Sequence, residues 1–163
     1  MSLLLPQEEK DQYVALDCEM VGIGRYGKYP SLARVCIIDW DGNTLLDVHV
    51  RQRFPVTDYR TFVSGVTERD LLLDRAVDVD VCRAMVQDLI QDRIIVGHAL
   101  KNDLRALSLV HPWQRIRDTA KYEPFMKDRF QDGMLWPRKL KDLAYQKLHR
   151  TIQQPGNPHC PFE

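Results

Sequence analysis

The clearest pattern of apolar and polar positions begins at Tyr13, where an apolar run is interrupted only near its end by Asp17 and Glu19. Residues two apart in a strand project from the same face, so a strand that reaches both acids directs their carboxylates toward one point. An edge strand with a solvated charged face is one interpretation of this pattern. The acid-bearing face begins with Tyr13 and Ala15, however, and a strand that is apolar on both faces until its end is typical of a central strand that opens onto a cleft.

The rest of the pattern predicts an α/β architecture. The first strand is predicted over residues 12–18, and a glycine-rich loop follows over 22–31, where the glycines lead into no helix and so do not indicate a phosphate-binding loop. A tight turn over 41–43 joins strands over 33–40 and 44–50, so the chain opens with an antiparallel three-strand meander. Thr67 is a predicted helix N-cap. Helices are predicted over 78–92, 100–109 and 138–149, short strands over 93–96 and 116–118, irregular chain over 121–137 and a loop over 151–163. Helices that alternate with strands place the acidic first strand in the middle of the sheet.

A third acid, Asp103, lies in the helix predicted over 100–109. At about 100° per residue it is only about 40° from Leu107, on the apolar face of that helix, and so points toward the sheet. The alternative is an ordinary surface acid paired with Arg105 or Lys101. A buried carboxylate needs a cation or hydrogen-bond donors, which favours the first interpretation.

Three acids from two elements can build a two-metal site for phosphoryl transfer. Oxygen ligands suit Mg²⁺ or Mn²⁺, not Zn²⁺. A general base is then needed for the attacking water. By spacing alone, each of the five histidines is a candidate: His49, His98, His111, His149 and His159.

The composition of the chain says more about its cellular compartment than about its biochemical function. The 163 residues are predicted to form one domain, and the 23 basic and 23 acidic side chains give zero net charge. Zero net charge offers no argument for nucleic acid but does not exclude it, since a local basic rim or bound metals can offset phosphate charge. The four cysteines are widely spaced and indicate reduced thiols in a cytosolic or nuclear protein. The N-terminal residues do not resemble a signal peptide, and no run approaches the roughly 20 apolar residues that cross a membrane.

Three segments together resemble the DEDDh 3′→5′ exonuclease family of the RNase H-like fold: residues 16–22 (LDCEMVG), 97–104 (GHALKNDL) and 117–119 (RDT). The Cys-Glu-Met form is most similar to the branch that contains RNA exonuclease 4 and the interferon-stimulated 20 kDa exonuclease, and residues 31–35 and 64–67 also match that branch. The resemblance implies a three-layer fold with a mixed central sheet, an opening three-strand meander and helices on both faces.

The resemblance also implies roles for individual residues. Asp17, Glu19 and Asp103 would be catalytic carboxylates that bind the metal ions, and His159 would be the general base. Met20 and Val21 would line the pocket for the 3′-terminal nucleotide, and the loop Ser64, Gly65 and Val66 would contact its base or sugar. Without the resemblance, Ser64 and Gly65 would be interpreted as a plain turn.

The family pattern places a fourth aspartate five residues after its histidine, which is one position beyond Glu163. We therefore expect a single exonuclease domain over residues 1–163 that stops just before this acid and lacks the C-terminal helix that carries it. If the chain ends there, metal affinity and rate are expected to be impaired.

The implied function is metal-dependent 3′→5′ hydrolysis of single-stranded RNA, with DNA as a second substrate, to nucleoside 5′-monophosphates by a two-metal mechanism. Two alternatives stay open: a nuclease-like module that binds 3′ ends without cutting them, and an RNase H-like endonuclease. The resemblance further implies a nuclear or nucleolar protein with a role in rRNA processing and no membrane partner.

Overall fold

The computed structural model describes residues 5–72, 74–128 and 133–154. The strands are β1 Tyr13–Ile23, β2 Tyr29–Asp39, β3 Thr44–Val50, β4 Val56–Asp58, β5 Ala76–Val77, β6 Ile94–Gly97, β7 Ile116–Asp118, β8 Lys127–Asp128 and β9 Leu135–Trp136. The helices are α1 Gln7–Lys10, α2 Thr61–Ser64, α3 Val79–Ile90, α4 Lys101–Leu107 and α5 Leu140–Leu148.

The main sheet is mixed, and β1 lies in its interior. Its strand order is β5-β3-β2-β1-β6-β7, with β4 paired to the far end of β1. The predicted meander β1-β2-β3 is antiparallel, whereas β6 runs parallel to β1 and β7 runs parallel to β6. The prediction that the acidic strand is central is therefore confirmed.

The predicted loop over 22–31 is wrong, because β1 continues to Ile23 and β2 already begins at Tyr29. The connection is tight: a Cβ on Gly22 would lie 2.8 Å from Gly27 Cα, and Gly27 has a φ of 65°. Thr57 of β4 fastens this connection, since its hydroxyl accepts from the Gly27 N–H at 3.0 Å. Because of the additional pairing with β4, strand β1 continues beyond Asp17 and Glu19 and does not end at them.

The two faces of the sheet have different coverings. The main core lies under α3 and α4, and its buried members include Leu16 and Ile37 from the sheet, Val86 from α3 and Leu104 from α4. On the other face, Ala15 and Ile38 line a cavity together with Leu140 at the start of α5 and Ile152. Helices therefore lie on both faces, as predicted.

Several short elements of the structure were not predicted from the sequence pattern. Strand β5 pairs parallel to β3, and β8 and β9 form a hairpin within the segment predicted to be irregular. Thr67 forms a capping box with Asp70, as an N-cap should, but the helix that it starts is one short 3₁₀ turn over 68–71. Elements of two to four residues carry too few positions for a period to be recognised.

Two further expectations concern the described residues only. Cys18, Cys36 and Cys82 are present as thiols, while Cys160 lies outside that part of the chain. None of the helices within it has the length and apolar character to span a bilayer.

Candidate active site

Two of the three predicted metal-binding acids project from the same face of β1. In the ladder with β2, Asp17 lies opposite Cys36 and Glu19 lies opposite Arg34. Asp17 is exposed, whereas Glu19 is only 8% exposed. A shift in the β1–β2 register follows Glu19 directly. The strand therefore presents one carboxylate to solvent and buries the next beside a guanidinium.

Asp118 fixes the turn that places α4 against β1 near Cys18. One of its carboxylate oxygens accepts from the Ala99 N–H at 2.8 Å and the other from the Leu100 N–H at 3.1 Å. The absence of a side chain at Gly97 permits the close approach, since a Cβ there would lie 2.9 Å from the Leu16 carbonyl oxygen. The aspartate of the third sequence motif thus positions the helix that carries the third acid.

Asp103, in the first turn of α4, reaches the edge of β1 beyond the end of β6. The Ile94 N–H donates to the Gln12 carbonyl at 2.7 Å, so alternate backbone groups of β1 face β6, and the Cys18 N–H is one of them. Because β6 stops at Gly97, the Cys18 N–H donates instead to Asp103 Oδ1, at 3.1 Å. Asp103 is 6% exposed, so it points toward the sheet as its helical position predicts.

The charge of Asp17 raises the pKa values of both Glu19 and Asp103. Burial, then the Asp17 charge, raises the pKa of Glu19 to about 8, with Asp103 adding to the effect and Arg34 opposing it. Burial, then Asp17, raises the pKa of Asp103 to about 7, against hydrogen bonds that include the one from Cys18. Two buried carboxylates therefore share a site in which negative charge is disfavoured, and a cation would relieve that cost.

Arg34 is a site residue that the sequence analysis missed. It makes a two-pronged ion pair with Asp47 of β3, with Nε–Oδ1 at 2.7 Å and Nη2–Oδ2 at 2.8 Å. The pair holds the guanidinium across from Glu19, whose pKa it lowers. Only the β1–β2 register brings Arg34 and Glu19 together, and that register depends on the connection that the sequence analysis took for a longer loop.

His98 is the histidine, among those described, that lines the acid-bearing cavity. This cavity of about 330 Å³ is also lined by Asp17 and Glu19. His98 Nδ1 lies 2.9 Å from the hydroxyl of Thr119. Burial lowers the pKa of His98, with Asp118 acting against the shift. The neutral ring is thus held at the wall of the site.

The other histidines take separate places. His49 lies on β3 opposite Arg34, and a ring nitrogen of His111 lies 2.9 Å from the Arg93 carbonyl oxygen. His149 ends α5 in the left-handed conformation. His159, the predicted general base, lies outside the described residues.

The predicted nucleotide-binding residues divide into two groups. Met20 is half-buried and lines a cavity on the α3–α4 side of the sheet. Val21 and Val66 are fully buried against each other in a second small core. Ser64 is also buried, and its hydroxyl donates to the Tyr59 carbonyl at 2.9 Å. The side chains of Val21, Ser64 and Val66 therefore pack the fold, so a nucleotide could be contacted there through backbone atoms and through half-buried Gly65.

The donor set fits a hard divalent cation in its chemistry. Asp17, Glu19 and Asp103 offer oxygen ligands alone, and the two buried members carry raised pKa values that a cation would reverse. Within the described ranges, no group of three or more His, Cys, Asp or Glu side chains lies close enough to hold a metal as placed. Asp17 is the exposed member of the set.

A mixed sheet with acids on its central strand and a third acid on the adjoining helix is the arrangement of an RNase H-like nuclease domain. The chain belongs to the exonuclease family, whose model matches residues 14–160. It is similar to RNA exonuclease 4 of Cryptococcus neoformans, at 48% identity over 121 residues that cover 74% of this chain and 29% of that protein. It is also similar to the apoptosis-enhancing nuclease of Homo sapiens, at 40% identity over 152 residues, or 92% of this chain and 45% of that protein.

Solved structures support the same fold. The Saccharomyces cerevisiae Pan2 pseudoubiquitin hydrolase–RNA exonuclease module in complex with AAUUAA RNA superposes with a TM-score of 0.76 at 29% identity, covering 98% of this chain and 28% of that one. The chain thus spans less than half the length of each of these three proteins.

Proposed function

We propose that this domain is a divalent-metal-dependent 3′→5′ exoribonuclease that hydrolyses single-stranded RNA, with DNA as a second substrate, to nucleoside 5′-monophosphates. One observation carries the proposal: buried Glu19 and Asp103 and exposed Asp17 couple electrostatically along the central strand and the adjoining helix α4. The family membership and the RNA exonuclease relatives support RNA as the substrate. The nuclear or nucleolar location stays a prediction.

In this proposal the three carboxylates hold two Mg²⁺ or Mn²⁺ ions, which when bound supply activation of water and stabilisation of the departing oxygen. The chain's own residues prepare the site. Asp118 sets the start of α4, and the Cys18 N–H orients the Asp103 carboxylate. Arg34, fixed by Asp47, offsets part of the cost of a negative charge on buried Glu19.

Proton removal from the attacking water needs a base in the same cavity. His159 is the base that the family resemblance implies. His98 is the described histidine at the cavity wall, and its lowered pKa keeps it neutral near pH 7, as a proton acceptor must be. His98 contacts the Thr119 hydroxyl at this wall, and we assign the role of general base to His159, as the family resemblance implies.

The direction of cleavage is tested with two RNAs of the same sequence, one linear with a 5′ label and one circular, incubated with the chain and either Mg²⁺ or Mn²⁺. We expect the linear RNA to shorten stepwise from its 3′ end and the circle to stay intact. Internal cleavage of the circle would favour the RNase H-like endonuclease instead. Linear RNA that is bound but uncut in both Mg²⁺ and Mn²⁺ would favour the binding module.

A further inference from the structure

A second cavity, of about 540 Å³, lies on the α3–α4 side of the sheet, next to the candidate active site. Met20 and Asn102 line it, and these residues adjoin Glu19 and Asp103 in sequence. The other walls come from the ends of β1 and β2, the loop after β3, and helices α3 and α4. The cavity therefore lies on the α3–α4 side of the sheet, at residues next to two of the acids in sequence.

Four arginines line this cavity, and they come from three separate elements: Arg51 and Arg53 from the loop after β3, Arg83 from α3 and Arg105 from α4. No acidic residue is among its lining residues in the part of the chain that the structure describes. A chain of zero net charge thus concentrates positive charge beside its acids. A basic groove of this kind attracts a polyanion.

Nearby carboxylates offset only part of this charge. Asp80 accepts from Arg53 Nη2 at 2.7 Å and from Arg83 Nη1 at 2.8 Å, so the two arginines share it as a close partner. Arg105 is exposed, and none of the described carboxylates lies within ion-pair distance of it. Of the four arginines, Arg105 is therefore the one best able to bind a phosphate group of a ligand.

Part of the groove is already ordered. Arg83 Nε donates to the Leu107 carbonyl at 2.8 Å, which ties α3 to the end of α4. Its Nη2 lies 3.2 Å from the Ser108 hydroxyl. A guanidinium held in place by backbone and side-chain acceptors loses little further freedom when a ligand binds.

Phe54 stands at the rim of the groove, directly after Arg53, and is 66% exposed. An exposed phenyl ring has no packing role in the core. Beside cations, such a ring is the platform on which proteins stack the bases of single-stranded nucleic acid.

We propose that this groove binds the nucleotides of RNA that precede the 3′ end, with Arg105 and the neighbouring arginines on phosphates and Phe54 stacked on a base. The proposal rests on the proposed function for the position of the 3′ end at the acids. It adds a strand-binding site that would hold the substrate between successive cleavages.

The test measures binding of a 5′-fluorescein-labelled oligo(A) octanucleotide by anisotropy in EDTA, so that no cleavage occurs. Arg105→Ala is expected to weaken binding by about threefold to tenfold and to reduce the slope of log K against log salt by roughly 0.7, the value for one phosphate contact on a single strand. Phe54→Ala is expected to weaken binding about tenfold. Both residues are exposed, so thermal midpoints should match that of the wild type.

Arg115→Ala is the matched control, because it removes one exposed arginine that pairs with Asp92 outside the groove. It should bind like the wild type. Competition by the unlabelled dinucleotide ApA should be equal for all variants, since a dinucleotide reaches little beyond the acids. The proposal is overturned if Arg105→Ala and Phe54→Ala bind the octanucleotide like Arg115→Ala, or weaken ApA and the octanucleotide equally. Because binding is read without turnover, a wild type that binds but never cuts would refute the proposed function and leave this result standing.

Discussion

Asp103→Asn is expected to abolish cleavage and at the same time to stabilise the chain in EDTA. Asparagine keeps an oxygen that can accept from the Cys18 N–H, now made at 3.1 Å, and removes a buried charge beside Asp17. We expect the free energy of unfolding to rise by about 1–3 kcal/mol above pH 8, or roughly 3–10 °C in thermal midpoint. Loss of a metal-binding carboxylate should cost at least about 10²-fold in rate.

Asp103→Ala is the control, because it removes the acceptor of the Cys18 N–H along with the charge. That variant should be equally inactive but less stable than Asp103→Asn, since a buried donor is left without a partner. An Asp103→Asn chain that cuts RNA at the wild-type rate would remove Asp103 from the catalytic set. A lower thermal midpoint than wild type above pH 8 would show that its buried charge is not costly.

The stability of the metal-free chain is expected to fall as pH rises from about 6.5 to 8.5, and divalent cation to reverse the fall. Glu19 and Asp103 have pKa values raised to about 8 and about 7 in the fold, against ordinary values near 4 in the unfolded chain. The folded chain therefore binds more protons than the unfolded chain across this window, and stability declines with pH. A loss of roughly 2–4 kcal/mol, or about 5–15 °C, is expected in EDTA.

Other groups do not produce this trend in the same window. His49 and His98 have lowered pKa values, which destabilise the fold toward acid and so act in the opposite sense. The pKa values of the Cys18 and Cys82 thiols are raised, so these thiols change the stability mainly at a pH above this window.

Thermal scans at pH about 6.5 and about 8.5, with EDTA or Mn²⁺, measure the trend. The double variant Glu19→Gln with Asp103→Asn should show neither the decline nor the Mn²⁺ effect. An equal decline in that variant would assign the trend to other groups.

The acids could be located from sequence because their placement depends on local geometry. The period of a strand puts Asp17 and Glu19 on one face, and the period of a helix turns Asp103 toward the sheet. The same reasoning identified the central position of β1, because both of its faces are apolar until the acids. The structure agrees on each of these points.

The surroundings of the acids could not be predicted, because they depend on contacts between distant segments. Arg34 meets Glu19 through strand register, and Asp118 orders the start of α4 from a strand further along the chain. The arginines of the groove come from a loop and two helices, and the packing of these elements against one another cannot be predicted from a local sequence pattern. Burial of Val21 and Val66 likewise follows from their contact with each other, not from their motif.

The most direct test of the metal-dependent exonuclease is the digestion of a 5′-labelled single-stranded RNA with Mg²⁺, Mn²⁺ or EDTA, with Asp17→Ala alongside the wild type. Asp17 is exposed, so this variant should keep the wild-type fold by circular dichroism. We predict a ladder that shortens from the 3′ end with either cation and that is lost with EDTA and in Asp17→Ala. A ladder that persists in EDTA, or in a folded Asp17→Ala chain, would contradict a mechanism carried by these carboxylates.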